Sequence, residues 1–534
     1  MRFLWRARRR IRPRIDVLGD RSEAAVETAG WEGYAGLVLV LPLVGAVVAG
    51  LQRGRRADAA AGIFGTAALV ALVALINAAL GAPGEGRLIA EWDVLSWLGG
   101  RAGAAGFLVD GLTLLMLIVV LVIGLLVVLF SADYLSPDNR EHATTDTKGR
   151  YYFWLMLFIF SMAGLAMAPN LLQMFVFWEL TTVCSWALIA HYDTQRAVAA
   201  GYKALVLTSV GGLCFLLALL LIYQVTPDFR FAALGALPEG RAMAVLFLLL
   251  LAAWAKAAQL PLYTWLPDAM EAPTPISAYL HAAAMVKAAV FLMARVIFEG
   301  YGFLPGLKAT FSLGYGPVVV SAHGLGLFMS VAALATMLVA VYLYFAQDDL
   351  KRLLAYSTIA HLAYMLFGLG LALAGVWLGM IAALIHLIAH GFAKTTLFLS
   401  VGSVAHRTGT RKISALGGLV GAMPLTALAF TVAAFALVGV PPLACFWSKF
   451  ALFGAIVGLG GATGVVLLLP FALETIIAFL WFVRVSQKVF LGEPSVAAGQ
   501  AEEAPSLMQG VLAVLVVLCL VGPALALPFL PPQP

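Results

Sequence analysis

The residues of this sequence that could do chemistry are charged or titratable side chains inside long apolar runs. Glu179 stands in the run FVFWEL (175–180) with no other charge close to it in sequence, and Lys256 stands in AKAAQ (255–259). A charged side chain at the centre of a bilayer costs at least about 2.5 to 3.5 kcal/mol on insertion scales, so several of them in one chain require a function. We therefore expect these side chains to bind and release protons.

The most regular group is formed by His386, His390 and Lys394, which recur at every fourth residue. At a rise of about 1.5 Å per residue they line one face of a helix over roughly 12 Å. Histidine titrates near neutral pH, so imidazoles ending in an amine suit proton transfer through intervening water. A zinc site is the alternative, because histidines at i and i+4 can share a metal. No acidic residue or cysteine accompanies the pair, which disfavours that reading.

Glu179 and Lys256 each have a second interpretation. For Glu179 we expect a cationic partner on the next helix, and Lys203 is the best candidate; a static ion pair between helices is the alternative. Lys256 precedes Leu260-Pro261-Leu262, where the helix should break. Burial disfavours the charged form of an amine, which would allow proton exchange at physiological pH. Extension of this lysine to the membrane interface remains the alternative.

Four further titratable residues extend the series. His281 and Lys287 are six positions apart and lie on different faces of a regular helix, so a break after Pro273 and Pro275 would be needed for both to reach a central file of water. A purely structural pair is the other possibility. Lys449 and Glu474 continue the series toward the C-terminus, with structural and functional interpretations of Glu474 equally open. His361 is an additional candidate.

The elements that position these residues are membrane-spanning helices. Of 534 residues, 63% are hydrophobic and 11% are charged, far from the balance of a soluble protein. Apolar runs of about 18 to 30 residues are long enough to cross a hydrocarbon core of about 30 Å. We predict about fourteen helices, near 35–51, 60–81, 106–130, 151–168, 171–191, 200–223, 242–260, 275–298, 320–346, 353–373, 377–404, 421–440, 447–491 with a break, and 507–531.

Two proline-containing breaks suggest an internal repeat. Leu260-Pro261-Leu262 follows Lys256, and Pro441-Pro442-Leu443 precedes Lys449. Broken helices of this kind are typical of ion paths in transporters with inverted repeats, and an odd number of helices per unit inverts the second unit. The predicted fold is all-α and polytopic, with two inverted five-helix repeats. Its divisions are 1–34 (basic segment), 35–130 (first helices), 131–298 (first repeat), 299–491 (second repeat) and 492–534 (loop and last helix).

Composition also excludes several functions. The four cysteines lie far apart inside apolar runs, so no metal, iron–sulfur or other cofactor site is expected. The net charge of +6 comes from loop arginines and lysines, which does not indicate nucleic-acid binding. The arginine-rich N-terminus is not followed by the apolar core of a signal peptide, so we expect no cleaved leader. Abundant Ala, Gly and Arg suggest a bacterial source, and the expected location is the inner membrane.

Four stretches resemble a known family, the antiporter-like membrane subunits shared by respiratory complex I and Mrp-type cation/proton antiporters. They are FWELT (177–181), QLPL through WLPDAMEAPTPISA (259–278), DLKRLLAYST (349–358) and the helix of His386, His390 and Lys394. The similarity covers about residues 105–490. The sequence around Met270 and Pro273 is most similar to that of the large Mrp subunit and of the distal complex I subunit.

The resemblance implies a proton-translocating or cation/proton-exchanging subunit of a larger membrane complex, with protons alone or protons and Na⁺ as the transported ions. It places proton transfer on Glu179, Lys256, His281, Lys287, His386, His390, Lys394 and Lys449. Lys203 joins these candidates as the expected partner of Glu179. No catalytic centre is expected on the chain, although its complex could be an oxidoreductase. The alternatives are a subunit of a membrane-bound hydrogenase or inorganic-carbon uptake complex, a haem- or quinone-binding subunit, and a non-transporting scaffold.

Overall fold

A computed structural model of the chain describes residues 30–81, 87–93, 104–143, 147–313 and 316–532. Residues 1–29 of the predicted basic segment 1–34 lie outside these ranges. The first helices are α1 (Trp31–Gly50), α2 (Arg55–Leu80), α3 (Gly111–Tyr134), α4 (Lys148–Ala166), α5 (Leu171–Ile189), α6 (Gln195–Tyr223), α7 (Glu239–Lys256), α8 (Trp265–Asp268) and α9 (Thr274–Ala282). The next are α10 (Met285–Gly300), α11 (Ala322–Phe345), α12 (Leu350–Leu373), α13 (Leu378–Thr408), α14 (Pro424–Val438), α15 (Ala444–Leu459), α16 (Gly461–Phe490), α17 (Val496–Gly499) and α18 (Ser506–Ala526).

The length and apolarity of these helices confirm the all-α polytopic fold. Among the described residues, twelve helical segments are long and apolar enough to cross a membrane, and α9 with α10 counts as one of them. Helix α7 and the shorter apolar helices α14 and α15 are not among the twelve. One further crossing by α7 and one by the α14–α15 pair would give fourteen, and that number stays a prediction.

Local sequence sets where several helices begin and end. The side chains of Asp110, Asn170 and Asp349 each accept a hydrogen bond from a backbone N–H in the first turn of the helix that follows. Such caps satisfy amide groups that have no partner within the helix. Helices α13 and α14 both end at a glycine in the left-handed region, Gly409 (φ 73°) and Gly439 (φ 92°), where a residue with a side chain is disfavoured.

Helix α13 forms the centre of the protein. It packs against α3, α9, α12, α14, α15 and α18. The spans formed by α9–α10, α12 and α13 are almost entirely buried, whereas most of α1, α2 and α16 faces outward. The titratable residues predicted on α9, α10 and α13 therefore lie in the interior of the protein.

Two stretches of the chain, 148–300 and 322–490, show the same order of elements. Each contains three continuous helices, then a broken helix, then a fifth spanning segment. Five is an odd number, so the second stretch crosses the membrane in the opposite sense to the first. In the first stretch the fifth segment is also interrupted, between α9 and α10, as the positions of His281 and Lys287 required. The exact domain boundaries stay predictions.

The segment predicted near 447–491 with a break consists of two helices, α15 and α16, which meet at Gly460 (φ 69°) and Gly461 (φ 58°). Two successive residues in the left-handed region end a right-handed helix, and only glycine adopts that conformation without a steric penalty. The break that corresponds to the one after Lys256 lies earlier, between α14 and α15.

Two β-hairpins were not predicted from the sequence. Strands β1 (Leu88–Asp93) and β2 (Ala104–Val109) pair antiparallel before α3, and β3 (Lys308–Leu313) and β4 (Gly316–Ser321) pair before α11. The strands are short, and β2 and β4 directly precede apolar helices. The predicted spans 106–130 and 320–346 include the ends of these two strands and therefore start too early.

Candidate functional site

Lys256 ends α7 inside the protein and does not extend to its surface. Its side chain is fully buried, and its Nζ donates hydrogen bonds to the backbone oxygen of Trp178 (2.7 Å) and to Thr182 Oγ1 (3.2 Å) on α5. The ammonium also lies 4.1 Å from the centre of the Trp178 ring. Glu179, the next residue on α5, interacts electrostatically with this lysine. We call Glu179, Lys256 and Thr182 the first cluster.

The carboxylate of Glu179 occupies space that a glycine leaves open. A Cβ built on Gly212 of α6 would collide with the carboxylate, so any larger residue at this position would displace it. Glu179 Oε1 is buried and accepts no hydrogen bond from the residues that the structure describes. A buried polar atom without a protein partner is normally hydrated, which indicates that water reaches the first cluster.

The predicted pairing of Lys203 with Glu179 is wrong. Lys203 Nζ lies 2.7 Å from Asp268 Oδ2, and Arg352 approaches the other oxygen of the same carboxylate at 3.3 Å. All three side chains are substantially exposed. Asp268 lies in α8, which follows the break after α7. Its carboxylate binds the Lys203 amine that was expected to pair with Glu179. A role of Lys203 in proton transfer stays a prediction.

The interruption between α9 and α10 places two titratable residues in the interior. His281 is fully buried, and its ring centre lies 5.0 Å from that of Phe398 on α13. Neither ring nitrogen has a hydrogen-bond partner among the described residues. Lys287 Nζ donates a hydrogen bond to the backbone oxygen of Leu387, also on α13. Both residues therefore lie against the central helix that carries the histidine series.

Three histidines form a stacked group between α12 and α13. His361 Nδ1 and His386 Nε2 lie 2.9 Å apart, and the two rings are nearly parallel with centres 5.2 Å apart. The centre of the His390 ring lies 5.2 Å from that of His361. His386 Nδ1 lies 2.7 Å from Ser448 Oγ on α15. One bond between two imidazoles requires one ring to donate and the other to accept, so the proton position on this pair is exchangeable.

Lys394 lies two helical turns beyond His386 on the same face of α13, as predicted. Its Nζ donates hydrogen bonds to Ser357 Oγ (2.9 Å) and to the backbone oxygen of Leu354 (3.2 Å) on α12. The side chain is fully buried, and no ion pair of Lys394 occurs among the described residues. Only neutral oxygens stabilise its charged form directly, so a change of protonation breaks no salt bridge.

The series continues from the histidines to α15 and α16. Tyr364 OH donates a hydrogen bond to Glu474 Oε2 and lies 2.9 Å from Thr475 Oγ1. Lys449 Nζ lies 4.8 Å from the centre of the Tyr364 ring and donates to the backbone oxygen of Val438. The tyrosine thus contacts a carboxylate on one side and an amine on the other. We call this group, together with the three histidines and Lys394, the second cluster.

A glutamine lies between the two clusters. Gln259, in the break after Lys256, is fully buried and directs its Nε2 to the backbone oxygens of Ala257 (2.8 Å) and Ile359 (3.5 Å), and Ile359 lies two residues before His361. Within the described part of the chain, its Oε1 has no hydrogen-bond partner, and neither do the two ring nitrogens of His390. Buried acceptors of this kind call for bridging water, so water would complete the connection between the clusters.

Several of these residues were not predicted. Ser357, His361 and Tyr364 are spaced at i, i+4 and i+7 and share the face of α12 that meets the histidines of α13. This polar stripe is visible in the sequence, and the prediction includes only His361 from it. Gly212 and Asp268 gave no such signal, because their roles depend on contacts between helices distant in sequence.

Within the described ranges, no group of three or more His, Cys, Asp or Glu residues could hold a metal ion. The two histidines that suggested a zinc site are not arranged for one, since both ring nitrogens of His386 contact His361 and Ser448.

Two family models match the chain. Residues 168–475 match the model described as NADH:quinone oxidoreductase/Mrp antiporter, TM, and residues 99–143 match that of the N-terminus of chain 5 of NADH-ubiquinone oxidoreductase, complex I. The first match contains both clusters from Glu179 to Glu474.

Similar curated proteins include subunit 5 of the chloroplastic NAD(P)H-quinone oxidoreductase of Adiantum capillus-veneris, 40% identical over 364 residues, and that of Zea mays, 38% identical over 364 residues. Each alignment covers 64% of this chain, and the chain spans about half the length of these relatives (46% and 45%).

Two solved structures share the fold. A chain of the Mrp complex from Dietzia sp. DQ12-45-1b aligns with a TM-score of 0.72 and 30% identity, covering 92% of this chain and 49% of that one. A chain of the membrane-bound sulfane sulfur reductase, an archaeal respiratory membrane complex, aligns with a TM-score of 0.77 and 24% identity, covering 91% and 75%. The second likeness concerns the fold alone.

Proposed function

This chain belongs to the NADH:quinone oxidoreductase/Mrp antiporter family of multi-pass membrane proteins, and from that premise we propose that it translocates protons across the membrane as one subunit of a larger complex. The family's named members support the assembly, since the relatives are subunits of NAD(P)H-quinone oxidoreductases and the Dietzia structure is of a complex. No catalytic centre is assigned to this chain, and any redox chemistry would belong to its partners.

One observation carries the proposal: the buried titratable side chains are grouped in the interior, many of them in two clusters with Gln259 between them, and are not scattered. Lys256, Lys287, Lys394 and Lys449 are all buried, and each donates a hydrogen bond to a backbone carbonyl oxygen. Buried amines held by neutral acceptors can lose a proton without leaving a buried carboxylate unpaired. A protein that used these charges only to join helices would pair them with carboxylates.

Charge coupling between neighbouring sites would move the protons in sequence. Two unit charges about 10 Å apart interact by about 1.7 kcal/mol at an effective dielectric constant of about 20. That energy changes a protonation equilibrium by slightly more than tenfold. A proton arriving at one amine would therefore favour release from the next, with the histidines and bridging water as the transfer medium.

Cation/proton exchange is a second candidate function. The alignment with a chain of the Mrp complex covers 92% of this chain at 30% identity, which supports antiport. Vesicles containing the complex should then acidify or alkalinise when a Na⁺ gradient alone is imposed. A response to an imposed voltage or pH gradient without any response to Na⁺ would leave protons as the only transported ion.

We place the protein in the inner membrane of a bacterial cell. The composition supports this location, and the chloroplastic relatives make a plastid membrane the alternative. Membrane fractionation of the source organism distinguishes the two.

Lys394→Met tests the function directly. The substitution removes the buried amine while preserving much of its volume, so proton flux should fall by an order of magnitude or more while the fold and assembly remain intact. The measurement is the pH change inside vesicles that contain the purified complex. Lys308→Met is the matched control, because Lys308 is exposed in β3 and should leave the flux unchanged. Normal flux in Lys394→Met would refute proton transfer through the second cluster.

A further inference from the structure

A large groove lies on the outer face of the protein, away from both clusters. Its volume is 1190 Å³, and it is bounded by α2, the end of α3 and the start of α18. Ordinary ligand pockets have volumes of about 300 to 1,000 Å³. Small or apolar side chains line its deeper part, among them Gly62, Thr66, Ala67, Leu129 and Leu507.

The length of the groove along α2 is close to the thickness of one membrane leaflet. On α2 its lining extends from Arg55 to Ala67, twelve steps of 1.5 Å, which corresponds to about 18 Å. Half of a hydrocarbon core of about 30 Å is about 15 Å. An acyl chain that begins at the membrane interface would therefore fit along the apolar part of the groove.

The charges in the polar wall of the groove neutralise each other. Lys148 Nζ lies 2.7 Å from Asp58 Oδ2 and donates to the backbone oxygen of Ala132 (2.7 Å), and Tyr152 OH donates to Asp58 Oδ1 (2.8 Å). This carboxylate and this amine satisfy each other, so neither is left to attract a ligand.

The rim of the groove carries charges of both signs. Arg55 is exposed at the start of α2, whereas Asp133 and Asp138 lie at the end of α3 and in the loop that follows. No ion pair of these three residues occurs in the described part of the chain. An anionic group would be attracted to Arg55, and a group that donates hydrogen bonds would be attracted to the two carboxylates.

We propose that this groove binds one zwitterionic phospholipid with a primary ammonium headgroup, its phosphate on Arg55, its ammonium on Asp133 and Asp138, and an acyl chain along α2. The two carboxylates disfavour a purely anionic headgroup. They also favour a primary over a quaternary ammonium, because only the primary group donates hydrogen bonds. This site is independent of the proposed proton path, whose residues do not line the groove.

Native mass spectrometry of the purified complex tests the site. The complex is exchanged into nanodiscs with equal amounts of phosphatidylethanolamine, phosphatidylcholine and phosphatidylglycerol and is then released in mild detergent. Phosphatidylethanolamine should be the retained lipid. Gly62→Leu projects a side chain into the groove and should reduce this retention several-fold. Gly510→Leu is the matched control, because Gly510 lies on α18 outside the groove with open space around it.

The headgroup assignment has its own test. The double variant Asp133→Asn and Asp138→Asn keeps the side-chain shapes and should abolish the preference for phosphatidylethanolamine over phosphatidylglycerol. Glu493→Gln, an exposed loop change, should preserve the preference. Retention of phosphatidylglycerol by the unmodified complex would overturn the proposal. So would a complex without retained lipid in which a cysteine at position 66 cross-links to another subunit, since a partner helix would then fill the groove.

Discussion

Glu179 and Lys256 lie on neighbouring helices, α5 and α7, with opposite charges but no hydrogen bond between them in the structure. The amine donates to Trp178 and Thr182, and Oε1 of the carboxylate has no hydrogen-bond partner in the described ranges. A buried pair with direct bidentate contact would be held in one state, since separating it leaves two unpaired charges. The looser arrangement leaves Glu179 able to influence the protonation of Lys256 through space while each group remains solvated separately.

Glu179→Gln should strongly reduce proton flux because it removes the charge while keeping the shape of the side chain. The loss should persist across pH 6 to 9, since an amide does not titrate in that range. Flux is measured in vesicles containing the complex, with thermal unfolding recorded in parallel. Glu239→Gln, at an exposed position in the first turn of α7, is the control and should transport normally. Wild-type flux in Glu179→Gln would show that this carboxylate is structural.

Gly212→Ala should impair flux without removing any titratable group. The added methyl group would meet the Glu179 carboxylate and displace it from the first cluster. Gly36→Ala in α1 is the control, because no atom lies within 4 Å of its added Cβ. In a helix this change alone stabilises by about 0.8 to 1 kcal/mol, so the control should be at least as stable as the unmodified protein. Unchanged flux in Gly212→Ala would mean that the carboxylate need not occupy its observed position.

Helices α3 and α10 are joined by a buried ion pair at one end of the protein. Arg295 is fully buried, and it contacts the Asp110 carboxylate, Thr113 Oγ1 (2.8 Å) and Glu299 Oε1 (3.3 Å). Burial alone would raise the pKa of Asp110, but the nearby guanidinium outweighs it and holds this pKa at about 2. Asp110 also caps α3, so the pair fixes the start of that helix against the helix that carries Lys287.

Asp110→Asn should lower the thermal unfolding midpoint of the complex markedly. Removing one partner of a buried ion pair costs about 3 to 5 kcal/mol, because the remaining charge is left uncompensated. Asp193→Asn, whose partner Arg150 and own side chain are both exposed, should cost at most about 1 kcal/mol. The folded-state pKa of Asp110 is depressed, so its contribution is present at neutral pH and is lost only as the pH falls from about 4 toward about 2. The unfolding midpoints of the unmodified protein and of Asp110→Asn should therefore differ by the same amount from pH 5 to 8. Equal midpoints in that range would contradict the assignment of Asp110 as the partner of Arg295.

The sequence predicted the spanning helices and the face of α13 because both depend on local patterns. His386, His390 and Lys394 share one face through helical periodicity alone, and an apolar run identifies a span wherever it packs. The pairing of Lys203 depended instead on how α8 folds back after the break in α7, which placed Asp268 within 2.7 Å. Contacts of that kind join elements distant in sequence, and no periodicity encodes them.

The whole molecule buries its titratable clusters at the centre and presents apolar faces outward. Large side chains on α16 are exposed in succession, including Val466, Leu469, Leu473, Ile476 and Leu480. The face of α2 around the groove is similarly apolar. Outward apolar surface at membrane depth is covered by lipid or by the helices of other subunits. Lipid and the helices of other subunits differ in whether they remain bound to the protein after purification.

Mild solubilisation should release this chain together with other membrane subunits. The family membership and the naming of its relatives as subunits support this expectation. Native mass spectrometry of the affinity-purified chain gives the subunit masses, and cysteines placed at Leu473 and Leu480 on α16 should cross-link to a partner if that face is an interface. Cysteines at Leu37 and Val44 on the exposed face of α1 give the comparison for a second outward surface. The purified chain alone should show little flux, because partners would supply the energy that drives the titration cycle. A lone chain that transports protons in liposomes as fast as the assembled complex would contradict this, and the two clusters would then form a complete transporter by themselves.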